Sequence, residues 1–210
     1  MGSVLPEIDD RLRDWLLRQP MFFVATAPSG DDGHVNLSPK GGRGTFAVLG
    51  PREVAYVDLF GSGIETVSHL KQNGRVVVMF CSFEGPPQII RVHGRGEPVE
   101  MADPGFDDLL ARFDLPDEAR PTVRSVIRVE ATRISDSCGF GVPQMAYQDD
   151  RSQLYRTAEA WLDQRGPNAI RDYCDVNNGH SIDGLPGLTP FGGTLTEPER
   201  ARASHEGRKL

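Results

Sequence analysis

The stretch Val54-Ala55-Tyr56-Val57-Asp58-Leu59-Phe60-Gly61-Ser62-Gly63-Ile64-Glu65-Thr66 reads as a buried strand, a Gly-Ser-Gly turn and the start of a helix. Helix N-termini carry free backbone N–H groups and a dipole equivalent to roughly half a positive charge, which suits an anion, and glycines let a phosphate come close. Ser62 and Thr66 add hydroxyls. The same residues also suit a plain tight turn with Ser62 as N-cap, and this stretch alone leaves both readings open. A dinucleotide fingerprint would need a third glycine where Thr66 stands and a parallel β-α-β unit around it. A doubly wound fold is therefore excluded, and a mononucleotide phosphate remains.

Working outward, the helix runs over 64–73, with Ile64, Val67 and Leu70 on one face and Asn73-Gly74 as its stop. Strand-like runs lie at 21–27, 34–38, 45–49, 53–60, 75–83, 88–99 and 122–134, divided by Gly and Pro. The connections Gly50-Pro51 and Glu84-Gly85-Pro86-Pro87 are too short for parallel crossovers, so neighbouring strands should be antiparallel and should curl toward closure. In the run over 122–134, Val123, Ser125, Ile127, Val129 and Ala131 alternate with Arg124, Arg128 and Glu130, which predicts one wet face.

Amphipathic spacing predicts further helices over 6–19, 103–113, 152–164 and 168–176. The domain layout that follows is a helix (1–20) packed on a barrel (21–135), then a loop with helices (136–178). An arm (179–210) lies over the surface, its end partly flexible and Tyr147, Tyr155 and Trp161 available to a lid.

Composition narrows the function. The 210 residues are 38% hydrophobic, enough for a packed core, and Lys+Arg at 23 against Asp+Glu at 30 gives a net charge of −7. That sign excludes a protein held mainly by nucleic-acid phosphates. No apolar run approaches a membrane span, and the start lacks a basic region followed by an apolar one, so no membrane partner and a cytoplasmic location are expected. Cys81, Cys138 and Cys174 stand far apart, as do the five histidines, so no metal site is expected.

Three other stretches carry chemistry-bearing residues. Gly33-His34-Val35-Asn36-Leu37-Ser38-Pro39-Lys40-Gly41-Gly42-Arg43-Gly44 is a strand running into a glycine loop with two cations. Pro39 marks a strand end or an exposed edge. In Gln88-Ile89-Ile90-Arg91-Val92-His93-Gly94-Arg95-Gly96, alternation sets Arg91, His93 and Arg95 on the face opposite Ile90 and Val92, where they line a cleft, an interface or plain solvent. Ser135-Asp136-Ser137-Cys138-Gly139-Phe140-Gly141-Val142-Pro143 holds a cysteine with no sequence-local base, so a small buried residue is the simpler reading than a nucleophile.

Five segments in order, the strand from His34 to Lys40, Val54 to Asp58, the Gly61 to Thr66 turn opening a helix, Val76-Val77-Val78-Met79-Phe80 and Ile90-Arg91-Val92-His93-Gly94, resemble the pyridoxamine 5′-phosphate oxidase-like, FMN-binding split-barrel family. The resemblance implies an α+β, mainly β fold: a six-stranded antiparallel split β-barrel with peripheral helices. It also implies a homodimer holding FMN in a groove between subunits. The cofactor-binding set it implies here is Asn36, Leu37, Ser38 and Lys40, then Val57 and Asp58, then Ser62, Gly63, Glu65 and Thr66, with Arg91. The true oxidases have a Ser-Arg-Lys phosphate clamp and a strand starting with Arg; this chain has Ile64-Glu65-Thr66 and His34-Val35 near those places. Glu65 would repel a second phosphate, which argues against pyridoxamine phosphate as substrate. The expected activity is FMN-dependent transfer of hydride or electrons to or from a small molecule. The alternatives are the same fold binding F420 or haem, and a non-catalytic flavin-binding protein.

Overall fold

The computed structural model describes residues 2–191. In chain order the elements are β1 (Val4–Leu5), α1 (Asp10–Arg18), β2 (Met21–Thr26), β3 (Asn36–Gly41), β4 (Phe46–Gly50), β5 (Glu53–Leu59), α2 (Glu65–Asn73), β6 (Arg75–Cys81) and β7 (Ile89–Glu100). Then follow α3 (Phe106–Leu110), a 3-10 turn (Asp117–Thr122), β8 (Val123–Ser137), α4 (Gln153–Arg165) and α5 (Ala169–Asn177).

Local chemistry sets several of these limits. The Asp9 carboxylate accepts the Leu12 N–H at 2.8 Å and so starts α1 at Asp10, later than the apolar spacing alone suggested. Gly74 ends α2 in the left-handed conformation, φ 68°, as Asn73-Gly74 foretold. Gly105, also at positive φ, delays α3 and shortens it from the expected 103–113.

All pairings are antiparallel, in one eight-stranded sheet ordered β3-β2-β6-β7-β8-β5-β4 with β1 on β8. The count of six is thus corrected to eight. Val4–Leu5 adds a strand too short to show a period, and β8 is long enough to pair with β1, β5 and β7 at once. The arrangement is the expected split barrel: β3 and β4 end the strand order without pairing, so the seam between them is open. The sheet nevertheless curls: the Phe46 ring on β4 lies 5.3 Å from Phe22 on β2 and 4.9 Å from Phe80 on β6, across its concave side.

The concave side and α2 share the main core of Phe22, Val24, Val54, Tyr56, Val67, Val78, Ile90 and Val92. A second core under α3 takes Ala55, Val57, Phe113 and Val126. Being buried on both faces, β5 reads as a continuous apolar run. Burial of apolar surface at about 25 cal/mol per Å² is what holds these layers together.

The wet face expected for the last strand is also corrected at its start. Val123 through Ile127 are all buried, Arg124 included, because β8 enters between β5 and β7 and beneath the turn after β5.

Candidate functional site

Cross-strand partners share a face of the sheet. Asn36, Ser38 and Lys40 pair with Thr26, Val24 and Phe22, which places all three on the concave side, while Leu37 and Pro39 face outward. The structure therefore splits the predicted set by strand alternation. On the concave side Asn36 Nδ2 donates to Thr66 Oγ1 (3.0 Å) and Thr26 Oγ1 (3.3 Å), and Ser38 Oγ donates to Asn36 Oδ1 (2.9 Å). Thr26 in turn bonds His69 Nδ1 at 2.9 Å. His69 is fully buried with no partner on Nε2, and burial lowers its pKa despite the nearby Asp183 and Glu65. It is a neutral member of the cluster.

Asp58 forms the charged centre. Its carboxylate, 1% exposed, accepts Lys40 Nζ at 2.8 Å and Arg124 Nε at 2.8 Å. Burial by itself would raise its pKa, but the Arg124 and Lys40 charges and their hydrogen bonds outweigh burial and lower it to about 2. Next to it, burial and the Asp58 charge push the Tyr56 hydroxyl's pKa up, so the phenol stays protonated.

Beyond β5 the chain turns through Gly61-Ser62-Gly63, with Ser62 and Gly63 exposed. Ser62 is not the N-cap; that position belongs to Ile64, which has no side-chain cap. Instead Glu65 Oε2 accepts the Ile64 N–H at 3.0 Å, so a carboxylate stands at the amino end of α2. Behind the turn, Arg124 donates to the Gly61 carbonyl (3.0 Å) and the Gly63 carbonyl (2.6 Å), and Asn178 Nδ2 donates to Gly61 (2.8 Å).

Asn36, Ser38, Lys40, Asp58, Glu65 and Thr66, with the exposed turn residues Ser62 and Gly63, thus gather around the β3 edge and the start of α2. Val57 does not join them, its side chain lying in the second core. Nor does Arg91, which faces away from the core two strands beyond β2 and donates to Ser137 Oγ. Sequence reading missed Arg124, Asn178 and His69. For Arg124 the one available signal was an arginine inside an apolar run; Asn178 had none.

The segment 178–190 binds α2 and its surroundings. Lys71 Nζ donates to the Gly187 carbonyl, the Ile182 N–H to Glu65 Oε1, and Asp183 holds both the backbone N–H and Nδ1 of His34. The expected fraying of the arm's end falls on 192–210, outside the described residues. Trp161 packs with Phe60 and Tyr173 against the main core and Tyr155 against the second core, leaving Tyr147 exposed.

A cleft of about 680 Å³ opens at the other end of β3, lined by Arg13, Arg43, Phe46, Val48 and Tyr147 among others, and includes none of the predicted cofactor-binding residues. Hydrogen-bonding chemistry, rather than concavity, marks the β3–α2 cluster. Of the cysteines, burial pushes Cys174 up to about 11 and raises Cys81, so neither offers a ready thiolate; the buried position expected for Cys138 is corrected, since it is exposed after the end of β8. Among the described residues no helix is long and apolar enough to cross a membrane.

Comparison with known proteins gives the family. The sequence profile of the family described as pyridoxamine 5′-phosphate oxidase matches residues 8–138. A pyridoxamine 5′-phosphate oxidase family protein of Aspergillus flavus is 40% identical over 194 residues, spanning 86% of this chain and 76% of that one. Among solved structures, an FMN-binding protein from Syntrophomonas wolfei is similar at TM-score 0.45 and 15% identity, over 60% of this chain and 82% of that one. An FAD binding protein from Mycobacterium smegmatis is similar at 0.41 and 18%, over 65% and 95%. With more than half of its length matched by the profile and a relative this close, the chain belongs to the pyridoxamine 5′-phosphate oxidase family.

Proposed function

We propose that the protein is an FMN-dependent oxidoreductase whose cofactor phosphate sits at the Gly61–Gly63 turn, between the edge of β3 and the start of α2. Family membership supports a flavin. The observation that carries the placement is the Glu65 carboxylate on the Ile64 N–H: an anionic oxygen already occupies a donor of this turn, with the exposed Ser62 and Gly63 beside it. A phosphate oxygen can take the same donor if Glu65 swings out. The residues present therefore fit the group, although Lys40 reaches a phosphate only by sharing itself with Asp58.

When bound, a flavin accepts and releases hydride or single electrons. The chain's own part is to bind, orient and shield. The Asn36–Thr26–Thr66–Ser38 network fixes the concave edge of β3, and Tyr56 and His69 remain uncharged beneath it. Proton delivery from His93 is disfavoured, because burial and the neighbouring Arg133 and Arg91 charges lower its pKa.

Protein as purified, or apoprotein titrated with FMN, should show the blue absorption of an oxidised flavin that bleaches with NADH or NADPH. A haem Soret band or an F420 spectrum would overturn FMN; a flavin that no pyridine nucleotide or artificial donor reduces would leave a binding protein in place of an enzyme.

The functional unit we propose is a homodimer, with the unpaired edge of β3 at its interface. Val35 (76% exposed) and Leu37 (64%) present apolar side chains outward there, and an edge strand with such side chains gains by being covered. Light scattering at micromolar concentration should give twice the chain mass. A monomer with cofactor bound would refute the shared site.

A further inference from the structure

We propose that Arg124, with Asp58 and Asn178, is a positioning unit that aims the N–H groups of the Gly61-Ser62-Gly63 turn at an anionic group of the ligand. This rests on the reading that the turn receives the cofactor phosphate, and it assigns the task of presenting those donors to residues that do not touch the ligand.

A peptide unit is planar and trans, so its N–H points away from its C=O. Arg124 draws the Gly61 and Gly63 carbonyls inward, and Asn178 takes Gly61 a second time. The N–H groups of Ser62 and Ile64, which belong to the same two peptide units, are thereby turned outward. Ile64 already meets the Glu65 carboxylate there, while Ser62 N–H makes no hydrogen bond among the described residues. A Cβ on Gly61 would meet nothing within 4 Å, so the outer face is open.

A surface turn could leave its carbonyls to water. This one instead draws on a guanidinium only 4% exposed, whose charge must be offset by a carboxylate only 1% exposed. Three distant parts of the chain supply the grip: Asp58 at the end of β5, Arg124 at the start of β8, and the fully buried Asn178 just after α5. A rigid planar fork spans two carbonyls and a carboxylate at fixed positions, whereas an ammonium is a compact point on a flexible stem that fixes no such geometry. Donors held in place before the ligand arrives bind it without an ordering cost, which is the energetic reason for such a unit.

The test compares FMN with riboflavin, which has the same ring and ribityl chain without the phosphate. The parent protein should prefer FMN. Arg124→Lys keeps the charge beside Asp58 but loses the fork, and should weaken FMN on the order of 10- to 100-fold while leaving riboflavin within about threefold. Asn178→Ala leaves Arg124 in place and should weaken FMN by a smaller factor, about 3- to 10-fold, again with little change in riboflavin. Circular dichroism checks that each variant is folded, and if Arg124→Lys is not, Asn178→Ala decides.

Equal losses for both ligands would show a merely structural role and overturn the proposal. So would an unchanged FMN preference in the folded variants. A parent protein that binds both ligands equally places the phosphate elsewhere, which overturns the proposal and leaves the flavin reading standing. A parent protein that binds neither removes both.

Discussion

Replacing Asp58 by Asn should lower the unfolding free energy by about 3–5 kcal/mol and the melting temperature by roughly 6–20 °C. The change is nearly isosteric, so the loss is electrostatic. Arg124 is only 4% exposed and cannot turn to water, and without the carboxylate its charge is buried against two neutral carbonyls. Lys40, at 22% exposed, can turn outward. Lys40→Met should therefore cost no more than about 1 kcal/mol, the range of a solvent-screened pair. The ordering is the point of the measurement: denaturant melts that gave the two variants similar, small losses would show that Asp58 is not the counter-charge of a trapped arginine. The double change Asp58→Leu with Arg124→Met should be more stable than Asp58→Asn alone, since apolar replacement of a whole buried pair is often neutral or better.

The same pair sets an acid limit. Asp58 titrates at about 2 in the folded protein and near its ordinary 3.8 when unfolded. A lowered carboxyl pKa contributes stability that is fully present above the unfolded value and is lost as pH falls through the folded one. Stability should therefore be insensitive to this group above about pH 5 and decline from about pH 4 to pH 2, with about 2 kcal/mol of the loss due to Asp58. In Asp58→Asn that share of the decline should vanish.

Gly94→Ala should cost about 3 kcal/mol, the upper range for forcing an atom into a packed interior. Gly94 sits where the β7–β8 register shifts, and a Cβ there would fall 2.2 Å from the Glu130 carbonyl oxygen and 2.8 Å from Val129 Cγ1. Both obstacles belong to β8, the strand that joins the two halves of the sheet, so neither can yield without disturbing pairing. Gly61→Ala is the matched control. Its Cβ would meet nothing, and its stability should stay within about 0.5 kcal/mol of the parent. Equal melting curves for the two variants would contradict the close approach at Gly94.

By itself the sequence determined the segments other than β1, their antiparallel arrangement and the family. Apolar period, Gly and Pro placement and connection length are local properties, which is why α2 stops at Gly74 as Asn73-Gly74 foretold and why the short Gly50-Pro51 link forces β4 back against β5. The order of segments around Gly61-Ser62-Gly63 was enough to name the relatives, whereas the split of Asn36, Ser38 and Lys40 from Leu37 across the two faces of β3 came from the strand pairing.

What only the tertiary structure decided is which distant residues meet. Arg124 lies 63 positions from Gly61 and Asn178 lies 117 from it, and no spacing rule connects them to a turn. Arg124 looked like one member of a wet face because alternation records side without depth, and depth depends on the strands that come to flank β8. Glu65 entered the sequence reading as a charge near the turn, and that its carboxylate accepts the Ile64 N–H came from the folded chain. Pairing of buried charges is set by the fold, since a carboxylate and a guanidinium attract in any sequence but lose their water only where the assembled sheet and helices exclude it.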